Sequence, residues 1–582
     1  MSDSSYWQRM SAGPGLNRRT FLRSAAVTGA GAAAFLAGCR TSAPEAPAAK
    51  STASGAASGA APATVFAVPE GKRGGTFTRP GLDPTTGWDP HATISYLTNN
   101  VAEPMGIKLV RHDYRKTPPF FSGNEELIVG ELAEKWESPD PLTYNFTLRK
   151  GINWPDQEPM KGGPITAQDV KYAFEHAKAP TSQTQEYVFN NIKSVTAVDD
   201  YTVQIKANYP NWRFAIDLDS YNTIITPKGV YEWAGSGGMK DPTKARGGGP
   251  WMLEDYKPGS VIKWKVNENY RKVFGVPYFD HHNTAILANG APTLQAFIAK
   301  TINVYSASTG ELEPAKKARP DTKMVEEFYA PTNTNALFMK VTQKPFDDVR
   351  VRRALSMSVD RAGWGKTLQV ANKWESGPIT WGFPTWKLDH TKMPADTSKW
   401  LKYDPAEAKK LVEAAGISVG TEYLMHMYPY NATYTPESQL LIDSMKKIGI
   451  TAKLKVYEYN NWLSTAYIGK YNDLLYGPDN LDRITQQLAD RLQRGSSRNH
   501  SDVADDTTDK LLKDFQAAKG PAEAKPISDN IQIRSVDQAY AVYRPQPVTP
   551  HFWDANLQNY GEKGDFALYY QDSYRAAFMW WS

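Results

Sequence analysis

Residues that could catalyse a reaction are sparse in this chain. The sequence contains no His-Glu-x-x-His zinc pair, no Gly-x-Ser-x-Gly nucleophile elbow and no phosphate-binding P-loop. The nearest approach to an elbow, residues 234–237, lacks its first glycine. His281 and His282 are adjacent in an extended segment, so their side chains should point to opposite faces and make a poor metal site. The sequence therefore favours a binding protein without cofactor or metal over an enzyme such as a secreted hydrolase.

The most informative single residue is the one cysteine, Cys39. A lone thiol excludes a disulfide framework within the chain. Cys39 ends the sequence Leu-Ala-Gly-Cys and follows an uncharged run, residues 24–37, which Arg18 and Arg19 precede. This arrangement resembles a twin-arginine export signal that ends in a bacterial lipobox. It predicts cleavage before Cys39 and lipidation of the sulfur; the alternative is an accidental alanine-rich helix with a buried thiol.

Composition divides the chain into a signal, a tether and a body. Residues 1–38 form the predicted signal, and residues 39–70, rich in Ala, Ser, Pro and Thr, form a predicted disordered tether. The formal net charge is +5, of which the signal's four arginines and one aspartate carry +3. The nearly balanced remainder lacks the basic surplus expected of a nucleic-acid-binding protein. The 17 tryptophans and 31 tyrosines favour a chain that stacks on or encloses a molecule.

Apolar periodicity beyond the tether predicts both strands and helices. Residues 142–148 and 450–456 alternate apolar with polar side chains, as half-buried strands do. Thr166 with Asp169 three residues later predicts the start of a helix, and Asp404 followed by proline predicts another. Helices and strands in alternation predict the α/β class.

Several short motifs follow one another in a fixed order along the body. They are Gly-Gly-Thr-Phe at 74–77, Trp-Asp-Pro-His at 88–91, Glu-Leu-Ala-Glu-Lys-Trp-Glu at 131–137, and the blocks at 142–151, 166–170, 249–251, 346–355 and 403–416. Their types and order resemble those of bacterial extracellular solute-binding proteins of family 5. That family comprises the peptide-, nickel- and oligosaccharide-binding components of ABC importers. The resemblance extends over residues 71–560.

This resemblance implies an α/β, periplasmic-binding-protein-like two-lobed fold with an extra inserted domain (cluster C, or class II). Lobe I is expected to comprise residues 71–100, 221–325 and 535–582, the inserted domain residues 101–220, and lobe II residues 326–534. The two lobes are expected to close over a solute by moving about hinge strands.

The resemblance also assigns candidate ligand-binding residues. In the peptide-binding members, a segment after a strand of the second lobe carries an aromatic residue and, three positions later, an aspartate that pairs with the ligand's amino group. These positions fall on Tyr476 and Asp479 here. The alternative for Asp479 is an ordinary turn residue after a proline. Further candidates are the helix residue Trp462 and Tyr96 in the first lobe. Trp374 and Trp381 are also candidates, in a predicted tryptophan-rich loop that extends from residue 374 to residue 386.

The implied function is capture of a peptide-like or other organic solute by an extracytoplasmic lipoprotein of an ABC importer. The expected partners are permease and ATPase subunits, the solute itself, and the membrane through the lipid anchor. We expect a monomer, on the outer face of the cytoplasmic membrane, that binds no nucleic acid. Two alternatives stay open: an oligosaccharide-binding member of the same family, and a binding module for signalling or surface scaffolding without transport.

Overall fold

The computed structural model describes residues 71–93, 95–112, 128–179, 187–328, 333–368, 371–375, 377–380, 383, 385–417, 421–430, 433–480, 483–560 and 576–582. The predicted signal and tether, with Cys39, and also Trp381 lie outside these residues. The backbones of Tyr96, Trp374 and Asp479 are placed, but their side chains lie outside the description. Within the described part of the chain, no helix has the length and apolar character needed to cross a membrane.

Most helices of the body are short and connect strands. The α-helices span Tyr96–Met105, Ala167–Lys178, Tyr187–Asn191, Phe214–Asp217, Lys228–Ala234, Glu268–Phe274, Ala291–Ile298, Leu312–Ala318, Val349–Met357, Arg361–Leu368, Ala395–Ser398, Pro405–Ala414, Tyr434–Lys447, Tyr459–Ser464, Asp506–Ala517 and Pro521–Asp537. Shorter helical turns occupy Tyr221–Thr223, Gly235–Lys240, Pro242–Lys244, Thr309–Glu311, His390–Lys392, Lys399–Leu401, Ala466–Ile468, Gln486–Asp490 and Ala576–Phe578.

Four larger sheets organise the described residues, and we name them here in strand order. The N-terminal sheet contains Thr76–Gly81, His281–Ile286, Val261–Val266 and Trp251–Lys257. The middle sheet contains Ala133–Asp140, Thr143–Leu148, Thr202–Ala207 and Ile192–Asp199. The five-stranded sheet contains Thr451–Val456, Glu422–Met427, Leu474–Asn480, Asn333–Met339 and Ala541–Tyr543. The bridging sheet contains Val304–Ser306, Pro545–Asp554 and Thr322–Phe328, with Ala371–Glu375 also paired to Pro545–Asp554. Two strand pairs join Val110–His112 to Ile128–Gly130 and Leu557–Gln558 to Trp580–Trp581.

Local sequence signals predicted several of these elements correctly. Thr166 precedes helix Ala167–Lys178, and its backbone N–H donates to Asp169 Oδ2 at 2.8 Å. The two alternating segments are confirmed as the strands Thr143–Leu148 and Thr451–Val456. These elements depend on hydrogen bonds and burial within a few residues, which is why the sequence alone predicts them.

The five-stranded sheet is covered on both faces. Helix Tyr434–Lys447 shares one hydrophobic cluster with Leu474 and Tyr476. Helix Tyr459–Ser464 shares a second cluster with Leu475. Successive residues of the central strand are therefore buried on alternate faces, as expected for a sheet that has helices on each side.

A larger hydrophobic cluster joins the N-terminal and middle sheets. It includes Phe77 from the N-terminal sheet and Phe146 from the middle sheet. Ile484 and Phe515 belong to the same cluster, although both fall in the range predicted for lobe II. Residues 484–531 therefore contribute to this larger core, and the predicted domain boundaries stay a prediction.

The chain makes two short crossings between the bridging sheet and the five-stranded sheet. The first crossing lies between Thr322–Phe328 and Asn333–Met339. The second lies at Arg544, between Ala541–Tyr543 and Pro545–Asp554. Strands that pass directly from one sheet to another are elements about which two lobes can pivot.

A buried ion cluster attaches Arg483 to the larger core. The Asp219 carboxylate lies 2.8 Å from Lys108 Nζ and 3.1 Å from Arg483 Nη2, and its side chain is completely buried. Glu103 Oε1 lies 3.2 Å from the same Lys108 Nζ. Because two cations are withdrawn from water here, the carboxylates are needed to compensate their charge.

We expect Asp219→Asn to destabilise the protein by about 3 kcal/mol or more, since it removes the carboxylate that pairs with both buried cations. The midpoint of urea unfolding should fall accordingly. The control is Glu407→Gln, which breaks an exposed pair with Lys410 and should cost less than about 1 kcal/mol. Equal midpoints for the two variants would contradict the role assigned to Asp219.

Candidate ligand-binding site

Three strands of the five-stranded sheet end at one edge. Glu422–Met427 runs parallel to both Thr451–Val456 and Leu474–Asn480, so their carboxyl ends lie on the same side. Strand Leu474–Asn480 extends beyond the residues that pair with Glu422–Met427. This extension pairs with Asn333 and its neighbours. In open α/β sheets, ligands bind at the carboxyl ends of the strands. This edge is therefore the candidate site.

Aromatic side chains follow these strand ends and pack on one another. We call Tyr428, Tyr430, Tyr457, Tyr459 and Trp462 the aromatic wall. Ring centroids of Tyr428 lie 4.8 Å from Tyr430 and 5.1 Å from Tyr459. The Trp462 ring lies 5.9 Å from Tyr457, and its Nε1–H donates to Tyr430 Oη at 2.9 Å. The arrangement gives a rigid, largely apolar surface.

Local sequence explains how the wall is positioned. Glu458 caps helix Tyr459–Ser464, and its carboxylate accepts from the backbone N–H groups of Asn460 at 2.9 Å and Asn461 at 3.2 Å. The cap fixes where the helix begins, directly after the strand end at Val456. Tyr459 and Trp462, three residues apart, consequently lie on one face of the helix.

The opposite side of the site comes from helix Tyr96–Met105. Leu97 belongs to the same hydrophobic cluster as Tyr459 and Trp462, whereas Val101 and Met105 belong to the larger core. This helix therefore joins the larger core to the aromatic wall.

Trp462, one of the predicted ligand-binding residues, is fully buried. It packs against the backbone of Gly477, where an added Cβ would lie 3.1 Å from Trp462 Cζ2. Gly477 thus permits the close approach of the indole to the strand. The indole supports the wall from behind, with its N–H already bonded to Tyr430.

Tyr476, the first residue assigned by the resemblance, lies in the core on the other face of the sheet. It is fully buried, and its hydroxyl donates to Glu437 Oε2. Burial, reinforced by the nearby Glu437 carboxylate, raises the pKa of Tyr476 well above its ordinary value. Arg544 Nε lies 3.6 Å from the same Glu437 oxygen. Tyr476 therefore presents no exposed atom to a ligand in this structure.

The remaining predicted residues are only partly described. Asp479 pairs through its backbone with Thr334 near the carboxyl end of its strand. Tyr96 begins its helix. Trp374 lies in strand Ala371–Glu375, which corrects the prediction of a loop there, because this segment pairs with Pro545–Asp554. Trp386, at the end of the predicted loop, packs in the larger core.

Sequence reasoning missed the tyrosines of the wall and the two residues that face them, Ser95 and Leu97. A signal was present, since Tyr428 directly follows one strand and Tyr457 follows the next. The rule that ligands bind at the carboxyl ends of parallel strands would have selected both. The contribution of Leu97 depends on packing across more than 360 residues of chain and has no local signal.

Tyr457 of the wall contacts a buried titratable base. His426 Nδ1 and Tyr457 Oη are 2.8 Å apart. Burial, reinforced by the positive charge of Lys455, lowers the pKa of His426 to about 4. His426 is therefore neutral near pH 7. Among the residues that the structure describes, no group of three His, Cys, Asp or Glu side chains could hold a metal ion.

Comparison with known proteins identifies what this chain resembles. A family model described as "Bacterial extracellular solute-binding proteins, family 5 Middle" matches residues 128–479. The chain is 28% identical over 391 residues to the dipeptide-binding protein of Escherichia coli (strain K12), which covers 62% of this chain and 70% of that relative. It is 27% identical over 514 residues to di/tripeptide-binding protein 3 of Pseudomonas aeruginosa (strain UCBPP-PA14), covering 81% and 87% of the two chains.

A solved structure supports the fold. The ABC transporter-associated periplasmic binding protein DppA from Helicobacter pylori, in complex with peptide STSA, superposes with a TM-score of 0.74 at 21% identity. The superposition covers 88% of this chain and 98% of that one. The predicted fold class, a two-lobed α/β periplasmic-binding-protein fold, is thereby confirmed.

Acid should destabilise the body through His426. An unfolded histidine takes up a proton near pH 6.5, whereas the folded one resists until about pH 4, so stability is lost as pH falls between these values. We expect His426→Asn to remove about 1–2 kcal/mol of this loss at pH 5. Urea midpoints at pH 7 and pH 5 measure it. The same pH dependence in wild type and His426→Asn would contradict the prediction.

Proposed function

Because this chain belongs to the family 5 bacterial extracellular solute-binding proteins, we propose that it captures a peptide-like solute between its two lobes and delivers it to the permease of an ABC importer. The observation that carries this proposal is the aromatic wall at the carboxyl edge of the five-stranded sheet, which faces Leu97 on the helix that extends into the larger core. A surface of this kind can enclose an organic solute from one side while the other lobe closes over it.

A peptide-like solute is favoured by the relatives and by the position of Asp479. The relatives reported above are named for binding dipeptides and di/tripeptides. Asp479 lies at the end of a strand that reaches the candidate site. A carboxylate there would pair with a ligand ammonium, since an unpaired charge in a closed cleft is very costly.

The other predicted residues take different parts in this proposal. Trp462 holds the wall from behind, and Tyr476 acts indirectly by fixing Glu437 beside the Arg544 crossing. Tyr96, Trp374 and Trp381 stay proposed solute contacts.

We further propose that the protein is an exported lipoprotein held by Cys39 on the outer face of the cytoplasmic membrane. The supporting observation is the Leu-Ala-Gly-Cys sequence after paired arginines and an uncharged run. Permease and ATPase subunits of the importer would be its partners, and the protein would act as a monomer. One lipid-modified residue followed by 31 residues of polar, alanine-rich chain would allow the body to reach a permease.

The ligand class can be tested with Asp479→Asn, after a thermal-shift screen over dipeptides, oligosaccharides and metal chelates. For a peptide, calorimetric titration should show a loss of about 30-fold to several thousand-fold, because one partner of a charged pair is removed. For a neutral sugar the loss should be only about fivefold.

Two controls sharpen this experiment. Asp443→Asn changes an exposed carboxylate on helix Tyr434–Lys447 and should leave affinity unchanged. An N-acetylated peptide should bind wild type weakly and should lose nothing further in Asp479→Asn. If Asp479→Asn weakens binding of the free and acetylated peptides equally, the ammonium pairing is wrong.

The anchor is tested by Cys39→Ser. We expect this variant to leave the membrane fraction or to remain unprocessed, since the sulfur that carries the lipid is missing. Fractionation with mass measurement distinguishes the two results. A variant that sediments with membranes at the mature mass would show that Cys39 is not the anchor.

A further inference from the structure

One hydrogen bond joins the two sides of the candidate site directly. Ser95 Oγ and Tyr459 Oη are 2.9 Å apart, although the residues are separated by 364 positions in the chain. Both side chains are buried. Ser95 precedes the helix that extends into the larger core, and Tyr459 belongs to the aromatic wall. The bond therefore spans the two lobes.

The Ser95 hydroxyl is fixed by its own surroundings. Ser95 caps helix Tyr96–Met105, and its Oγ accepts from the Leu97 N–H at 3.2 Å. Its backbone N–H donates to Thr93 Oγ1 at 3.0 Å. A hydroxyl held by a helix cap has little freedom to follow a moving partner, so its second hydrogen bond forms in one placement of the lobes.

The Tyr459 hydroxyl is equally fixed. Tyr459 is the first residue of the helix that Glu458 caps, and its ring packs 5.1 Å from Tyr428 and 6.0 Å from Tyr430. Leu97, two residues after Ser95, adds an apolar contact to the same cluster. Both halves of the contact are thus preorganised before the lobes meet, which lowers the entropy cost of forming it.

From these contacts we propose that Ser95 and Tyr459 form a latch that stabilises the closed arrangement of the lobes. The latch raises solute affinity by shifting the opening equilibrium, and neither hydroxyl binds the solute. The proposal rests on the proposed function above for its effect on affinity, whereas its effect on lobe separation does not require a solute. Tyr459 and Ser95 are positioning residues in this account.

The decisive experiment is a double-mutant cycle with Tyr459→Phe and Ser95→Ala. Each single change should weaken solute binding by about 3- to 10-fold, mainly through faster dissociation. The affinity of the double variant should equal that of the single variant with the lower affinity, because both changes remove the same bond. Independent losses that multiply in the double variant would overturn the latch and assign Tyr459 a direct contact with the solute.

A second measurement works without any solute. Cys39→Ser gives a background free of thiols, in which Lys257→Cys and Lys446→Cys place one label on each lobe. We expect Tyr459→Phe to shift the distribution of label distances toward larger values. Unchanged distributions in both latch variants would overturn the proposal. If no solute is found for the wild-type protein, the proposed function is contradicted. The label distances still test the latch in that case.

Tyr457→Phe is the matched control, since its hydroxyl bonds to His426 within the five-stranded sheet and not across the lobes. It should leave the distance distribution unchanged. Thermal unfolding of each variant separates the latch from loss of the helix cap, because only Ser95→Ala removes the cap. A shift of equal size in Tyr457→Phe would contradict the specific role of Tyr459.

Discussion

The crossing of the chain from the five-stranded sheet to the bridging sheet depends on a buried charge. Arg544 lies between a strand of the five-stranded sheet and a strand of the bridging sheet, and its Nε is 3.6 Å from Glu437 Oε2. Tyr476 donates its hydroxyl to the same carboxylate. A guanidinium this deeply buried requires its carboxylate, because an unpaired charge would be very costly. The crossing is thus fixed to helix Tyr434–Lys447, which packs on the five-stranded sheet.

The composition of the aromatic wall is suited to a surface that is exposed to water when the lobes are open and enclosed when they are closed. Tyrosine has an apolar ring and a polar tip, so it tolerates both environments. Tyr428 and Tyr430 are half-buried, whereas Trp462 behind them is fully buried. The wall therefore has a rigid back and a partly exposed front.

Elements that depend on neighbouring residues could be predicted from the sequence, whereas contacts between distant segments of the chain could not. The helix start at Thr166 and the strand Thr143–Leu148 depend on neighbours a few residues away, and both were predicted. The orientation of Tyr476 was not, because Leu474, Leu475 and Tyr476 are all buried and alternation of polarity is absent. Trp374 was assigned to a loop because its strand partner lies more than 170 residues later. The family motifs supplied the architecture, but the residues that meet at the cleft come from distant segments.

The composition of the larger core has a consequence for synthesis. That core takes Phe77 and Trp88 from the beginning of the body, and Trp553 and Met579 from its end. It cannot be completed until Met579 has left the ribosome, and the long-range contacts involved form slowly. A nascent chain would therefore expose much apolar surface until that residue has been translated. The paired arginines at 18 and 19 predict export of the folded protein. The larger core would then be completed in the cytoplasm, before export.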